Sequence, residues 1–377
     1  SFLMQLADYF ASVILPKHIY EGTDPLTNPA NLEPVGTGPF RFEEHVAGDR
    51  TVLERNDDYF GGPAYLDRVI FRIFSNRATA IAAVRSGEVG YSAVSPAFAE
   101  AEVLGKTPGV KVDAVPSQIF QWFAFNLEHP ILSNKDVRHA IAMAVDTEQL
   151  NDVVYSGLAT PASTMFLSSS EFTDPTATQP AFDLDAANDL LDEAGYPRDA
   201  DGNRFSLRYT AWNTSIFGGA ELAQVLREQL AEVGIELTIE VNDFSLFSER
   251  IYKQHDFDLN STGGLHGPDP STLEAFYLST SGRNQMQYDN PEVDSLFAAA
   301  RAELDDDARM EIYSQIQQIL ADDLPRVNLV EYSYLKPYRE EVQNLWWSES
   351  ATEEHVGQDQ YFRTWLSTGS ETPPAAE

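Results

Sequence analysis

His266 and Asp269 stand three residues apart in a stretch rich in Gly and Pro, and an imidazole beside a carboxylate has the chemistry to ligate a transition metal. A lone imidazole next to a carboxylate is more often a hydrogen-bonding loop residue. Ser333 and Lys336 have the Ser-x-x-Lys spacing of a serine acyl-transferase of the penicillin-recognising type, but the Ser-Asp-Asn and Lys-Thr-Gly elements that complete such a site are missing. Asp199-Ala200-Asp201-Gly202-Asn203 has the composition of a calcium loop; taking Gly202 as its glycine puts Pro197 at the first ligand position, so a turn is expected there. The chain has no cysteine, which removes thiol nucleophiles, thiolate ligands and disulfides together. No Gly-x-Ser-x-Gly, His-Glu-x-x-His or P-loop occurs. Catalysis, a metal site and a cofactor are therefore not expected.

What remains is chemistry that holds a solute. Trp122 and Trp212 fall at the ends of expected strands, where an aromatic face suits a side chain or a sugar ring, although Trp122 fits a core position as well. Gly263-Gly264 allows close backbone approach to a ligand, or simply marks a loop turn. Asn213-Thr214-Ser215 and Asn260-Ser261-Thr262 have the form of glycosylation acceptors, a pattern short enough to arise by accident.

These residues need a scaffold, and the hydrophobic periodicity supplies one. Alternation on either side of Ala47-Gly48-Asp49 predicts a hairpin from Phe40 and Arg50, followed by a strand over Leu66–Phe74 and a helix that Asn76 caps and Gly87 ends. Phe2, Leu3, Leu6 and Phe10 have the spacing of a helical start. Gln121–Asn126 reads as a strand, and Ser133 with Asp136 as a capping box for a helix through Val137, Ala140, Ile141, Ala144 and Val145. Helix 185–194 stops at Gly195. Strand Phe205–Trp212, helix Ala220–Val233 and strand Ile235–Val241 form a βαβ unit, which requires a parallel strand pair in an open α/β sheet. Asn290-Pro291 and Asp305-Asp306-Asp307 begin two further helices, and Val327–Val330 is a strand leading out toward Trp346 and Trp347, which are expected to pack the first lobe.

The size of 377 residues, with 43% hydrophobic content, suits two globular units. The formal charge of −34, from 59 acidic against 25 basic residues, excludes a nucleic-acid partner, because a polyanion is repelled. Acidic residues are dispersed along the chain and only six Lys occur, a composition of salt-adapted proteins or of an ordinary acidic secreted protein. No apolar run is long enough to span a membrane, and Ser1–Leu6 lacks the basic start of an intact signal peptide.

Val35-Gly36-Thr37-Gly38-Pro39-Phe40-Arg41-Phe42, followed by Arg50–Phe60, closely resembles the signature of the family 5 extracytoplasmic solute-binding proteins, the peptide, nickel and oligosaccharide receptors of ABC importers. Further motifs follow in the family's order: Asp136–Ile141, Ala144–Asp146, Glu193–Tyr196, Gly267-Pro268-Asp269-Pro270 and Asn290–Asp294. The resemblance runs from about residue 5 to 365. It implies a two-lobe α/β architecture of the periplasmic-binding-protein type (type II, cluster C), with the amino-terminal part of lobe I missing. Residues 1–117 would be partial lobe I, 118–337 lobe II, 338–366 a return to lobe I and 367–377 a disordered tail. It also implies a monomer outside the cytoplasmic membrane, in the periplasm or as a surface lipoprotein, that delivers peptides to the membrane subunits of a permease. In peptide-binding members an Asp ahead of the Asp-Pro pair holds the ligand's amino group, and the matching residue here is His266. The Arg that holds a dipeptide's carboxylate is matched by Asn213. Loss of both anchors points away from dipeptides and toward longer peptides, with a neutral oligosaccharide or a nickel complex as alternatives. The implied ligand-binding set is Trp212, Asn213, Thr214, Ser215, Gly264, Leu265 and His266.

Overall fold

The computed structural model describes residues 14–213, 219–266, 269–345 and 361–367. The expectations for Phe2–Phe10, Thr214, Ser215, Trp346, Trp347 and the tail beyond Ser367 lie outside the described residues. The chain divides into two compact units: the larger runs from Pro116 to Ser333, and the smaller is built from the chain on either side of it.

In the smaller unit, β1 (Phe40–Val46), β2 (Arg50–Arg55) and β3 (Arg68–Arg72) form an antiparallel sheet in that order. The hairpin predicted around Ala47–Asp49 is present, with Gly48 at φ 76° in its turn and a register shift between Phe42 and Glu44. Leu66–Phe74 contributes a shorter strand than its composition suggested. Helix α1 (Arg77–Ser86) begins where Asn76 accepts from the Thr79 amide and ends at Gly87 with φ 79°, as read from the sequence. Its Ile81 and Val84 pack with Leu104, from α2 (Phe98–Gly105), and with Val110.

The larger unit is built on a six-stranded mixed sheet. The chain enters this unit within β4 (Val110–Phe125) and leaves it within β9 (Arg326–Arg339). Between them lie β5 (Thr160–Pro161), β6 (Phe205–Trp212), β7 (Ile235–Asn242) and β8 (Leu259–Leu265), giving the order β5-β9-β4-β8-β6-β7. The predicted βαβ unit is present: β6 and β7 pair in parallel from Phe205↔Ile235 to Trp212↔Asn242, joined by a crossover helix over Gly219–Glu232. Leu222, Leu226 and Leu230 of that helix are buried, as an apolar stripe at helical spacing requires.

Three local readings are corrected. The cap of the helix Lys135–Met143 is Asn134, which accepts from the Asp136 amide, while Ser133 donates to the Pro130 carbonyl. Ala144 and Val145, read as helical, follow its last residue and are buried there. Gly263-Gly264 is no loop turn: both lie in β8, opposite Gln121 and Phe120 of β4. Asp199–Asn203 does form the expected turn, its Asp199 carboxylate accepting from the amides of Asp201 and Asn203.

Candidate functional site

In an open α/β sheet, ligands gather at the carboxyl ends of the parallel strands, where loops diverge and backbone amides are free of the ladder. In the larger unit that edge is formed by the ends of β6, β7 and β8. It brings Trp212 and Asn213 to the end of β6, and Gly264, Leu265 and His266 to the end of β8. The Asn213 amide donates to the Asn242 carbonyl at 2.8 Å, and its side chain is exposed. Trp212 is half-buried, its ring 4.8 Å from that of Phe244 and tilted 50° to it, and packed on a cluster of Phe247, Ile251 and Phe257. Trp122, by contrast, is fully buried core.

Pairing places Phe120, Trp122 and Ala124 of β4 on the same sheet face as Gly264, Thr262 and Asn260 of β8. Gly264 is there because Trp122 is: a β-carbon on Gly264 would lie 2.5 Å from the indole and 2.7 Å from the Phe276 ring. Asn260 of the second glycosylation pattern is fully buried in β8, which closes it to an oligosaccharyl transferase.

His266 is 3% exposed, and its backbone is held at both ends: the amide donates to the Gln118 carbonyl at 2.7 Å, and the carbonyl accepts from the Thr272 hydroxyl at 2.6 Å. Its ring meets Phe120 edge-on at 4.6 Å and lies 6.0 Å from Trp122. Its Nε2 stands 3.1 Å from Nη2 of Arg326. A guanidinium only donates, so Nε2 accepts and the ring proton sits on Nδ1. Burial, reinforced by the Arg326 charge, drives the imidazole pKa well below its ordinary value and keeps it neutral.

Arg326 is the residue that the sequence reading missed. Fully buried at the start of β9, it stacks over Trp122 at 4.2 Å and Tyr277 at 5.0 Å. Its charge is held by aromatic faces and an imidazole, with no carboxylate in ion-pair reach among the described residues. A single cation opening an otherwise apolar strand, Arg326 before Val327, Leu329 and Val330, was the available signal. Asp269, the other half of the candidate metal pair, is committed elsewhere: it accepts from Arg309 at 2.7 Å and from the Ser271 amide at 2.9 Å, capping the turn 270–273. Burial pushes the Asp269 carboxyl up, but Arg309 and the Ser271 contacts outweigh it and hold the carboxyl below its ordinary range. His266 therefore faces a cation and Asp269 a different one, an arrangement that repels a metal ion.

Ser333 and Lys336 both lie on β9, where residues three apart project to opposite faces, whereas a nucleophile and its base need the helical turn that would unite them. Lys336 donates instead to the Tyr91 hydroxyl at 3.0 Å. A concavity of about 440 Å³ in the larger unit, lined by Tyr252, His255, Asn284, Tyr288 and others, contains none of the residues singled out from the sequence.

The carboxyl edge of a mixed α/β sheet, here with an aromatic and an exposed amide side chain, is where a fold of this kind holds a solute. The chain belongs to the bacterial extracellular solute-binding proteins of family 5, whose profile matches residues 1–287. It is 29% identical over 332 residues to the oligopeptide-binding protein AppA of Bacillus subtilis, covering 84% of this chain and 60% of that protein. It is 27% identical to the peptide transport periplasmic protein SapA of Salmonella typhimurium, covering 92% of this chain and 63% of that one. The chain thus spans about three fifths of the length of these relatives. Among solved structures it superposes on the substrate-binding protein CtaP of Listeria monocytogenes with a TM-score of 0.83 at 26% identity, over 93% of this chain and 71% of that one. On B. subtilis AppA in complex with a nonapeptide the TM-score is 0.69 at 25% identity, over 95% of this chain and 72% of that one. The family and the two-lobe α/β fold class implied by the sequence motifs are borne out. Among the described residues, no helix is long and apolar enough to cross a membrane.

Proposed function

We propose that this chain is the substrate-binding component of an ABC importer, which binds peptides outside the cytoplasmic membrane and delivers them to the membrane subunits of a permease. The observation that carries this reading is the superposition, over 95% of the chain, on a relative solved with a nonapeptide. Oligopeptides are the proposed ligands, since neither His266 nor Asn213 supplies a charged anchor for the ends of a dipeptide. The oligosaccharide and nickel-complex alternatives are not favoured: AppA and SapA are named for peptides, and His266 is turned to a guanidinium.

On this reading Trp212, Asn213, Thr214, Ser215 and His266 contact the ligand together with the backbone of Gly264 and Leu265. Residues 1–117 with 338–366 act as one lobe and 118–337 as the other. The protein works as a monomer, in the periplasm or anchored at the cell surface, and performs no chemistry on its cargo. A thermal-shift series with peptides of two to about nine residues tests it, because a ligand at 100 times its Kd adds ~2.7 kcal/mol to the native state. Melting temperatures that rise with the longer peptides support the reading. Equal melting with and without every peptide overturns it.

A further inference from the structure

Around His266 the buried, unpartnered nitrogens have one chemical character, and the Tyr277 hydroxyl beside the Arg326 guanidinium is an oxygen that can donate as well as accept. Arg326 uses Nη2 on the imidazole, while its Nε and Nη1, the Nδ1–H of His266 and the Nε1–H of Trp122 are buried without a hydrogen-bond partner among the described residues. All four nitrogens are donors. Among the described residues no carboxylate pairs with the charge behind them, since Asp269, in the adjoining turn, is bound to Arg309. In a low-dielectric interior such a charge reaches further than it does in water. It belongs to a fully buried side chain in a chain whose formal charge is −34.

We propose that the part of the site next to His266 takes the oxygen-acceptor end of a peptide, a carboxylate or an acylated amino terminus, and rejects a free ammonium. An ammonium there would face an imidazole that has only a donor to offer and a guanidinium of like charge. A carboxylate or acyl carbonyl would meet donors and an attractive field. The inference rests on the peptide-binding reading above and adds the polarity with which the peptide lies.

The test is calorimetric titration of the full chain with one oligopeptide in four terminal forms: free amine with free acid, acetyl with free acid, free amine with amide, and acetyl with amide. The acetylated free acid is expected to bind about tenfold more tightly than the free-amine amide. If amidation alone costs that factor, the acceptor is the carboxylate; if acetylation alone gains it, the acceptor is the acyl carbonyl. Two variants locate the cause. Arg326→Met removes the charge, and His266→Asp keeps the guanidinium but answers it with a carboxylate, so either is expected to bring the ratio close to one. The second variant decides the matter if the first fails to fold by circular dichroism. Equal or tighter binding of the free-amine forms, or a preference that survives both variants, overturns the inference while leaving peptide binding intact. Failure of all four forms to bind overturns the peptide reading itself and the inference with it.

Discussion

Arg309 and Arg326 are buried to the same depth in the same unit, 1% and 0% exposed, and they differ in what answers their charge. Arg309 donates to the buried Asp269 carboxylate at 2.7 Å and to the Ala300 carbonyl, with Phe172 and Tyr313 against its guanidinium. Arg326 has aromatic faces and an imidazole that accepts one hydrogen bond. The first arrangement is closed on itself and ties the turn 270–273, which Asp269 caps, to the helix Asp306–Asp323. The second leaves a charge that no carboxylate answers among the described residues, with the Tyr277 hydroxyl beside it.

Breaking the closed pair is the largest effect expected. Arg309→Met leaves the buried Asp269 carboxylate without its guanidinium, which costs about 3–5 kcal/mol, read as a lower urea midpoint. Adding Asp269→Asn to that variant is expected to restore much of the loss, because the abandoned charge is then gone. A double variant no more stable than the single one would mean that Asp269 does not depend on Arg309, and the contrast between the two arginines would lose one side.

The next effect is steric. Gly264→Ala sets a β-carbon into the Trp122 and Phe276 rings, and overpacking of this kind costs about 1–3 kcal/mol. Because Trp122 carries Arg326, the same substitution is expected to alter indole fluorescence. Unchanged stability and emission would show that the rings yield freely and that the cage around Arg326 is loose.

The legibility of the chain divides along the same line. The βαβ unit could be read almost residue by residue, since an alternating strand, a helical stripe and Gly234 as a stop each report local periodicity. β8 escaped because Asn260-Ser261-Thr262-Gly263-Gly264 has neither strand composition nor alternation. Its strand character comes from β4 and β6 on either side, and its glycine from an indole more than a hundred residues away in sequence. The long β4 was likewise read only from Gln121, since Pro116 interrupts its pattern. Asn213 and His266 were singled out only through the family resemblance, and both lie at strand ends of this sheet. That His266 is buried against a cation did not, because Arg326 lies 60 residues further on.

A pH titration sharpens the comparison further. The folded pKa of His266 lies below the unfolded one of about 6.5, so as pH falls the unfolded chain takes the proton first and folding stability declines. The contribution of His266 is present above that value and is lost below it, with a slope of up to about 1.4 kcal/mol per pH unit until the folded group itself titrates. Urea midpoints of the wild type and His266→Gln between pH 4.5 and 7.5 measure it, and the variant is expected to lose less stability on acidification. Parallel curves would show that His266 accepts its proton freely in the native state, contrary to a close Arg326.

The smallest effect is expected from removing the cation that has no counter-ion among the described residues. Arg326→Met gives up ring contacts worth about 0.5–2 kcal/mol and the hydrogen bond to His266, and it also removes the desolvation cost of a buried charge. With no partner carboxylate left behind, these terms oppose each other, and stability is expected to stay within about 1 kcal/mol of the wild type. The same chemical change at Arg309 is therefore expected to be several times more damaging. A loss at Arg326 as large as that at Arg309 would mean that the guanidinium holds the fold rather than a ligand, whereas a near-neutral result places its value outside folding.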